Sequence, residues 1–153
     1  MRPLAALALL ALLAVPAAAD VHPTSHGPVR VETVGPAFTH PWGLAFLPGF
    51  AETGGLLVTE RPGRLTLIEE GRARRVSGLP PIAAIGQGGL LDVALSPDFA
   101  ETGLIYLSHA APAAGGAANT AVTRARLNRA EARLEDATRV FEAASMGRGG
   151  RHF

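Results

Sequence analysis

The sequence predicts an all-β chain, a β-propeller covering about two four-stranded blades. Three observations carry this. The pentapeptide Phe50-Ala51-Glu52-Thr53-Gly54 returns unchanged, forty-nine residues later, as Phe99-Ala100-Glu101-Thr102-Gly103. Short apolar runs closed by Gly and Pro flank both copies at matching distances. A period near fifty residues also falls in the range of propeller blades, units that bury their apolar faces against the next copy. A β-sandwich would have to produce the matched Pro-x-Phe-Ala-Glu-Thr-Gly and the matched strands by coincidence.

The elements follow in order. Residues 1–19 have a short positive start at Arg2, an apolar run from Leu4 to Val15, and an Ala17-Ala18-Ala19 cleavage site. This is the pattern of a secretory signal peptide, and the apolar run is short for a membrane span. Residues 20–30 carry Pro, Gly and Ser with no apolar period and read as a leader, in which His22 and His26 are solvated. Strands are expected at 42–47, 55–60, 64–69 and, more weakly, 75–79. They recur at 90–95, 104–108, 120–127 and 138–141. The register makes the helix-forming stretch 128–136 a turn between the last two strands. Blade 1 is thus about 40–79 and blade 2 about 89–143, with a third blade starting at 150–153. FAETG joins the first strand of each blade to the second. Phe50 and Phe99 are expected to plug the space between blades, and Trp42 to pack there too.

Composition narrows the function. Once residues 1–19 are removed, 13 Arg balance 13 acids and no Lys is present. No basic patch argues for nucleic acid. The absence of Cys removes disulfides and thiolate metal sites from an exported protein, periplasmic or secreted. Histidines and carboxylates are left to do proton chemistry.

In a propeller, the loop from the outer strand of one blade to the inner strand of the next opens over the axis. Two such loops are visible, 80–89 and 144–153, and each ends in a glycine cluster. The first holds Gln87 and the second holds His152. Glycines permit unusual backbone angles and close approach of a ligand. Taken singly, a Gln among glycines is often a turn residue, and a lone His near a terminus is often solvated. Asp92 lies on an inner strand, where it lines the channel or ties down a neighbouring loop. His40 has no evident partner, and His109 ends a strand at the surface. None of these three is assigned a functional role, and no metal ligand is assigned.

Four stretches together resemble the soluble PQQ-dependent aldose sugar dehydrogenases of the glucose/sorbosone dehydrogenase family. They are HPWGLAFLP (40–48), GQGGLLDVALSPDF (86–99), IYLS (105–108) and the final RHF (151–153). The resemblance covers about residues 31–153. It implies a six-bladed propeller that binds pyrroloquinoline quinone with calcium and oxidises aldose sugars to lactones. Hydride would leave the anomeric carbon for the quinone, and electrons would pass to an external acceptor. His152 matches the family's general base, a role that suits an imidazole near neutral pH. Gln87 matches a glutamine contacting the sugar and cofactor region. Arg151 stands where the glucose-oxidising branch carries Asp, which points to the broad-specificity aldose branch. The calcium ligands and most quinone-binding residues would lie in later blades. The chain is therefore expected to be an N-terminal part, inactive alone. Two other readings are a non-catalytic exported propeller that binds a protein or glycan, and a complete adaptor that pairs through its open edge.

Overall fold

The computed structural model describes residues 20–145 and 147–149. It divides into two units between Val34 and Gly35. The expected signal peptide, residues 1–19, falls outside the described residues.

The first unit is a hairpin where an irregular leader was expected. Strands β1 (Asp20–Thr24) and β2 (Gly27–Val31) pair antiparallel, with Asp20 opposite Val31. The turn does the work that an apolar period would do elsewhere. The Thr24 hydroxyl donates to the Gly27 carbonyl at 2.6 Å, and Gly27 takes φ 113°, a value that glycine adopts without a Cβ clash. Every residue of both strands is exposed, His22 included, so no buried alternation existed to be read.

The second unit holds two four-stranded antiparallel meanders. The first comprises β3 (Pro41–Phe46), β4 (Leu56–Glu60), β5 (Arg64–Glu69) and β6 (Arg72–Arg75). The second comprises β7 (Leu90–Leu95), β8 (Leu104–Pro112), β9 (Ala118–Asn128) and β10 (Arg133–Glu142). Strands β3 and β7 begin at equivalent positions of the repeat and carry equivalent bulges. Register shifts between Pro41 and Leu44, and between Leu90 and Val93. The two strands approach closely enough that a Cβ on Gly43 would lie 2.4 Å from Asp92 Oδ1.

The core lies between the two sheets. Leu57, Leu65, Leu67 and Val76 meet Leu90, Val93, Ile105, Leu107, Leu127 and Leu134. Each such side chain contributes about 1.5–3 kcal/mol by leaving water. Strand β4 is buried on both faces; Leu56 and Val58 pack with Ile68 and Phe38 on the side away from the second sheet.

FAETG forms one helical turn in each blade: α1 (Phe50–Thr53) and α2 (Phe99–Thr102). Its residue types now have reasons. Thr53 Oγ1 donates to the Gly49 carbonyl at 3.0 Å, and Thr102 Oγ1 donates to the Asp98 carbonyl at 2.9 Å. Gly54 and Gly103 end the turns at φ 64° and 66°, and their amides bond back to Phe50 and Phe99. The phenylalanines part company. Phe99 is buried in the core, but Phe50 is 37% exposed and stacks edge-on against Phe46. Trp42 is half-exposed as well, with Leu44 and Phe46 beside it on the outer face of β3. That face looks away from the second sheet, so the expected packing of Phe50 and Trp42 between these two blades is not realised.

Two strand boundaries are also corrected. The fourth strand of the first blade is Arg72–Arg75, not 75–79. Beyond it the chain crosses to the second sheet, where Ser77 bridges Arg133 of β10 in parallel. Strand β10 begins at Arg133, five residues before the expected start. The turn ahead of it is short because Asn128 Oδ1 accepts the Glu131 amide at 3.1 Å, closing a turn rather than capping a helix.

Candidate functional site

The loop that follows β6 runs from the first sheet to β7, and its tip is Gly86-Gln87-Gly88. Two things fix it. On the second sheet, the Ala83 amide bonds to Ala110 O, and the Ala110 amide bonds to Gly89 O, each at 2.8 Å. On the first sheet, the anchor is Arg61, in the β4–β5 turn. Its carbonyl accepts the Leu90 amide at 3.0 Å. Its guanidinium Nη1 donates to Gly86 O, and reaches Gly88 O at 3.5 Å. Gln87 sits exposed between those two carbonyls, and its side chain has no hydrogen-bond partner among the described residues.

The glycines around Gln87 serve packing more than ligand access. A Cβ on Gly89 would lie 2.0 Å from the Arg61 carbonyl oxygen, and one on Gly88 would lie 3.1 Å from Ala110 Cβ. Both residues are buried. Small side chains continue inward, where Ala83, Ala110 and Ala118 form a compact cluster.

The second glycine loop meets the same cluster. Gly147 pairs with Ala118 through two hydrogen bonds of 2.9 Å. Asn119 braces the loop's approach, donating from Nδ2 to Glu142 Oε1 at 2.7 Å and to Ala143 O at 3.2 Å. That bond, together with Arg139, holds the Glu142 carboxyl below the usual carboxylate range. Asn119 is itself buried, and its Oδ1 has no partner among the described residues. Sequence reasoning missed both Arg61 and Asn119. Neither stands in a motif, and their role is to shape backbone far away in sequence. Arg151 and His152, the remaining site candidates, lie outside the described residues, four and five residues beyond Gly147.

The other polar candidates fall elsewhere. Asp92 is exposed on β7, and its Oδ1 accepts the amide of Val93 at 2.9 Å; among the described residues its carboxylate bonds to no loop. His40 is exposed at φ 51°, and its carbonyl accepts the Arg61 amide. His109, expected at the surface, is fully buried in the middle of β8. Strand β8 runs four residues past its expected end, so His109 faces the core instead of leaving the sheet. Its Nε2 pairs with Thr123 Oγ1 at 2.9 Å, and burial lowers its pKa below the ordinary 6.5.

A bound quinone tricarboxylate and a calcium ion make different demands on these residues. Calcium needs several oxygen ligands. Among the described residues no group of three or more His, Asp or Glu converges to hold a metal. The described residues therefore do not fit calcium. Gln87 leaves its amide exposed on a tip held from both sheets.

A family profile described as Glucose / Sorbosone dehydrogenase matches residues 38–153, and the chain belongs to that family. It is 40% identical over 127 residues to the aldose sugar dehydrogenase YliI of Escherichia coli K12, a match spanning 82% of this chain and 33% of that protein. A crystal structure of a glucose dehydrogenase superposes with a TM-score of 0.64 at 47% identity, covering 70% of this chain and 31% of that one. The PQQ-bound form of the aldose sugar dehydrogenase from Streptomyces coelicolor gives the same TM-score at 29% identity, over 85% of this chain and 36% of that one. The chain thus spans about a third of the length of the curated relatives it matches. The fold class is the all-β propeller, with the two meanders as its blades.

Proposed function

We propose that this chain supplies the opening blades of an exported, PQQ-dependent enzyme that oxidises aldose sugars to lactones. One observation carries the reading. The tip bearing Gln87 and the loop leading to Arg151 and His152 are anchored on one alanine cluster, at one end of the second sheet. On this reading His152, which follows Gly147 by five residues in sequence, joins the Gln87 amide in acting on one small polar substrate. Family membership supports the sugar as that substrate, and the PQQ-bound relative supports the cofactor.

His152, as a neutral imidazole, takes the proton of the anomeric hydroxyl as C1 loses its hydride. The bound quinone supplies the hydride acceptor. Gln87 donates or accepts at a sugar hydroxyl and orients the ring. Arg151, in place of an acid beside the base, favours a broad range of aldoses over glucose alone. No step here is assigned to calcium, and the acceptor that reoxidises the cofactor lies outside the chain.

The test uses the full-length protein that carries this segment, loaded with PQQ and calcium and assayed with aldoses and an artificial electron acceptor. Turnover of several aldoses is expected. The His152→Gln variant should retain bound PQQ, read by its absorbance, and lose turnover. A full-length protein that binds no PQQ would overturn the reading in favour of a binding propeller. Wild-type turnover in the variant would remove His152 from the reaction.

A further inference from the structure

We infer that Arg61 is a positioning residue for Gln87, and that it sets sugar affinity through that side chain. The inference rests on the role proposed for Gln87. The geometry of Arg61 is unusual for a turn arginine. Among the described residues it has no carboxylate partner, whereas Arg64, three residues on, is bonded to Glu60. The Arg61 guanidinium is turned instead onto backbone oxygens, bonding Gly86 O and reaching Gly88 O at 3.5 Å. Those two carbonyls bracket Gln87.

The rest of Arg61 is fixed from both ends. Its amide donates to His40 O and its carbonyl accepts from Leu90, each at 3.0 Å. Its Cγ and carbonyl occupy the space that a side chain at Gly89 would need. A half-buried, immobilised cation therefore grips the backbone on either side of an exposed amide. Charge-assisted bonds to carbonyls are stronger than neutral ones, and here one guanidinium nitrogen, Nη1, faces both oxygens. A lysine at the same place keeps the charge but carries it on a flexible stem rather than a planar group. The consequence is preorganisation: the backbone that carries Gln87 is held in place before the sugar arrives, so its ordering cost does not fall on binding.

The experiment is a double-mutant cycle in the full-length PQQ-loaded protein, with Arg61→Gln, Gln87→Ala and the pair, plus Arg61→Lys. Hydrogen exchange across residues 82–90 is measured alongside. Arg61→Gln should raise KM for the aldose about tenfold, the scale of one charge-assisted hydrogen bond, with little change in kcat. Arg61→Lys should fall between it and wild type. The pair should match Gln87→Ala alone, because the effect of Arg61 passes through Gln87. Exchange across 82–90 should rise in Arg61→Gln. Unchanged exchange in that variant overturns the clamp. Additive KM effects overturn its action through Gln87 and leave Arg61 a merely structural residue. If instead Gln87→Ala leaves KM unchanged while Arg61→Gln raises exchange, the sugar role of Gln87 falls, and with it the assignment of Arg61 to affinity.

Discussion

Glu69 at the end of β5 accepts both Nε and Nη2 of Arg129 from the β9–β10 turn, joining the two sheets at their strand ends. The same carboxylate takes Arg74 at 3.2 Å, and Arg74 in turn donates to the Arg129 and Ala130 carbonyls at 2.7 and 2.9 Å. This is a network, and its acid is mostly shielded while its two arginines are partly open to water. Networks of this kind hold better than isolated surface pairs, which are worth little. Arg129→Ala should lower stability by about 1 kcal/mol, and Glu69→Ala by somewhat more because two arginines lose their partner. Urea unfolding midpoints measure both. An unchanged midpoint for Glu69→Ala would show that the network contributes nothing.

The crossing from the first sheet to the second depends on Gly78. It sits at φ 79°, and a Cβ there would lie 2.4 Å from the Leu134 carbonyl. The flanking bonds, Ser77 to Ala132 and Leu134 to Ser77, leave that strand no freedom to retreat. Gly71 has a similar φ of 71° but open space around it. Gly71→Ala should therefore cost about 1–2 kcal/mol, the strain of a left-handed alanine. Gly78→Ala should cost clearly more, since the clash adds to the strain. Equal melting shifts for the two variants would contradict the close approach.

How far the sequence could be read follows from where the repeat stays in step. Inner strands, bulges and FAETG turns recur at one offset, so β7 and α2 were legible from β3 and α1. The offset fails beyond β8, because the second blade lengthens its hairpin to Pro112 and Ala118. That extension carried His109 from an expected strand end into the core. The Gln87 loop was legible because glycines mark it. Arg61 and Asn119 were not, because they act on backbone brought near only by the packing of two sheets. The hairpin of residues 20–31 escaped notice because it buries nothing.

The two copies of FAETG also differ in what their phenylalanines do. Identical sequence gives identical backbone turns, but burial depends on the neighbouring sheet. Phe99 has the first blade to pack against, whereas Phe50 is 37% exposed and stacks on Phe46. Phe99→Ala should cost about 3–5 kcal/mol, the range for a buried aromatic. Phe50→Ala in the same chain should cost well under half of that. Denaturant melts of the two variants decide it, and equal losses would mean that Phe50 is buried in solution.

The most specific pH prediction concerns His109. Burial and the nearby Arg139 charge lower its pKa in the folded chain, with the backbone at Ala110 pulling the other way. Its Nδ1 has no partner among the described residues that could receive a second proton. The unfolded chain therefore takes up a proton before the folded one does. By linkage, His109 leaves stability intact above pH 6.5, and stability is lost as pH falls from there toward the lowered folded value. Carboxylates would add their own loss at lower pH. Glu60, bonded to Arg64 and to the Thr39 amide, has its pKa held below 4.5, so its contribution survives until pH falls beneath that value. The window between 6.5 and 4.5 thus separates His109 from Glu60. Wild type should lose stability across it, and His109→Gln, which cannot gain a proton, should show a flatter profile at some fixed cost. An equally steep profile in the variant would place the titrating group elsewhere.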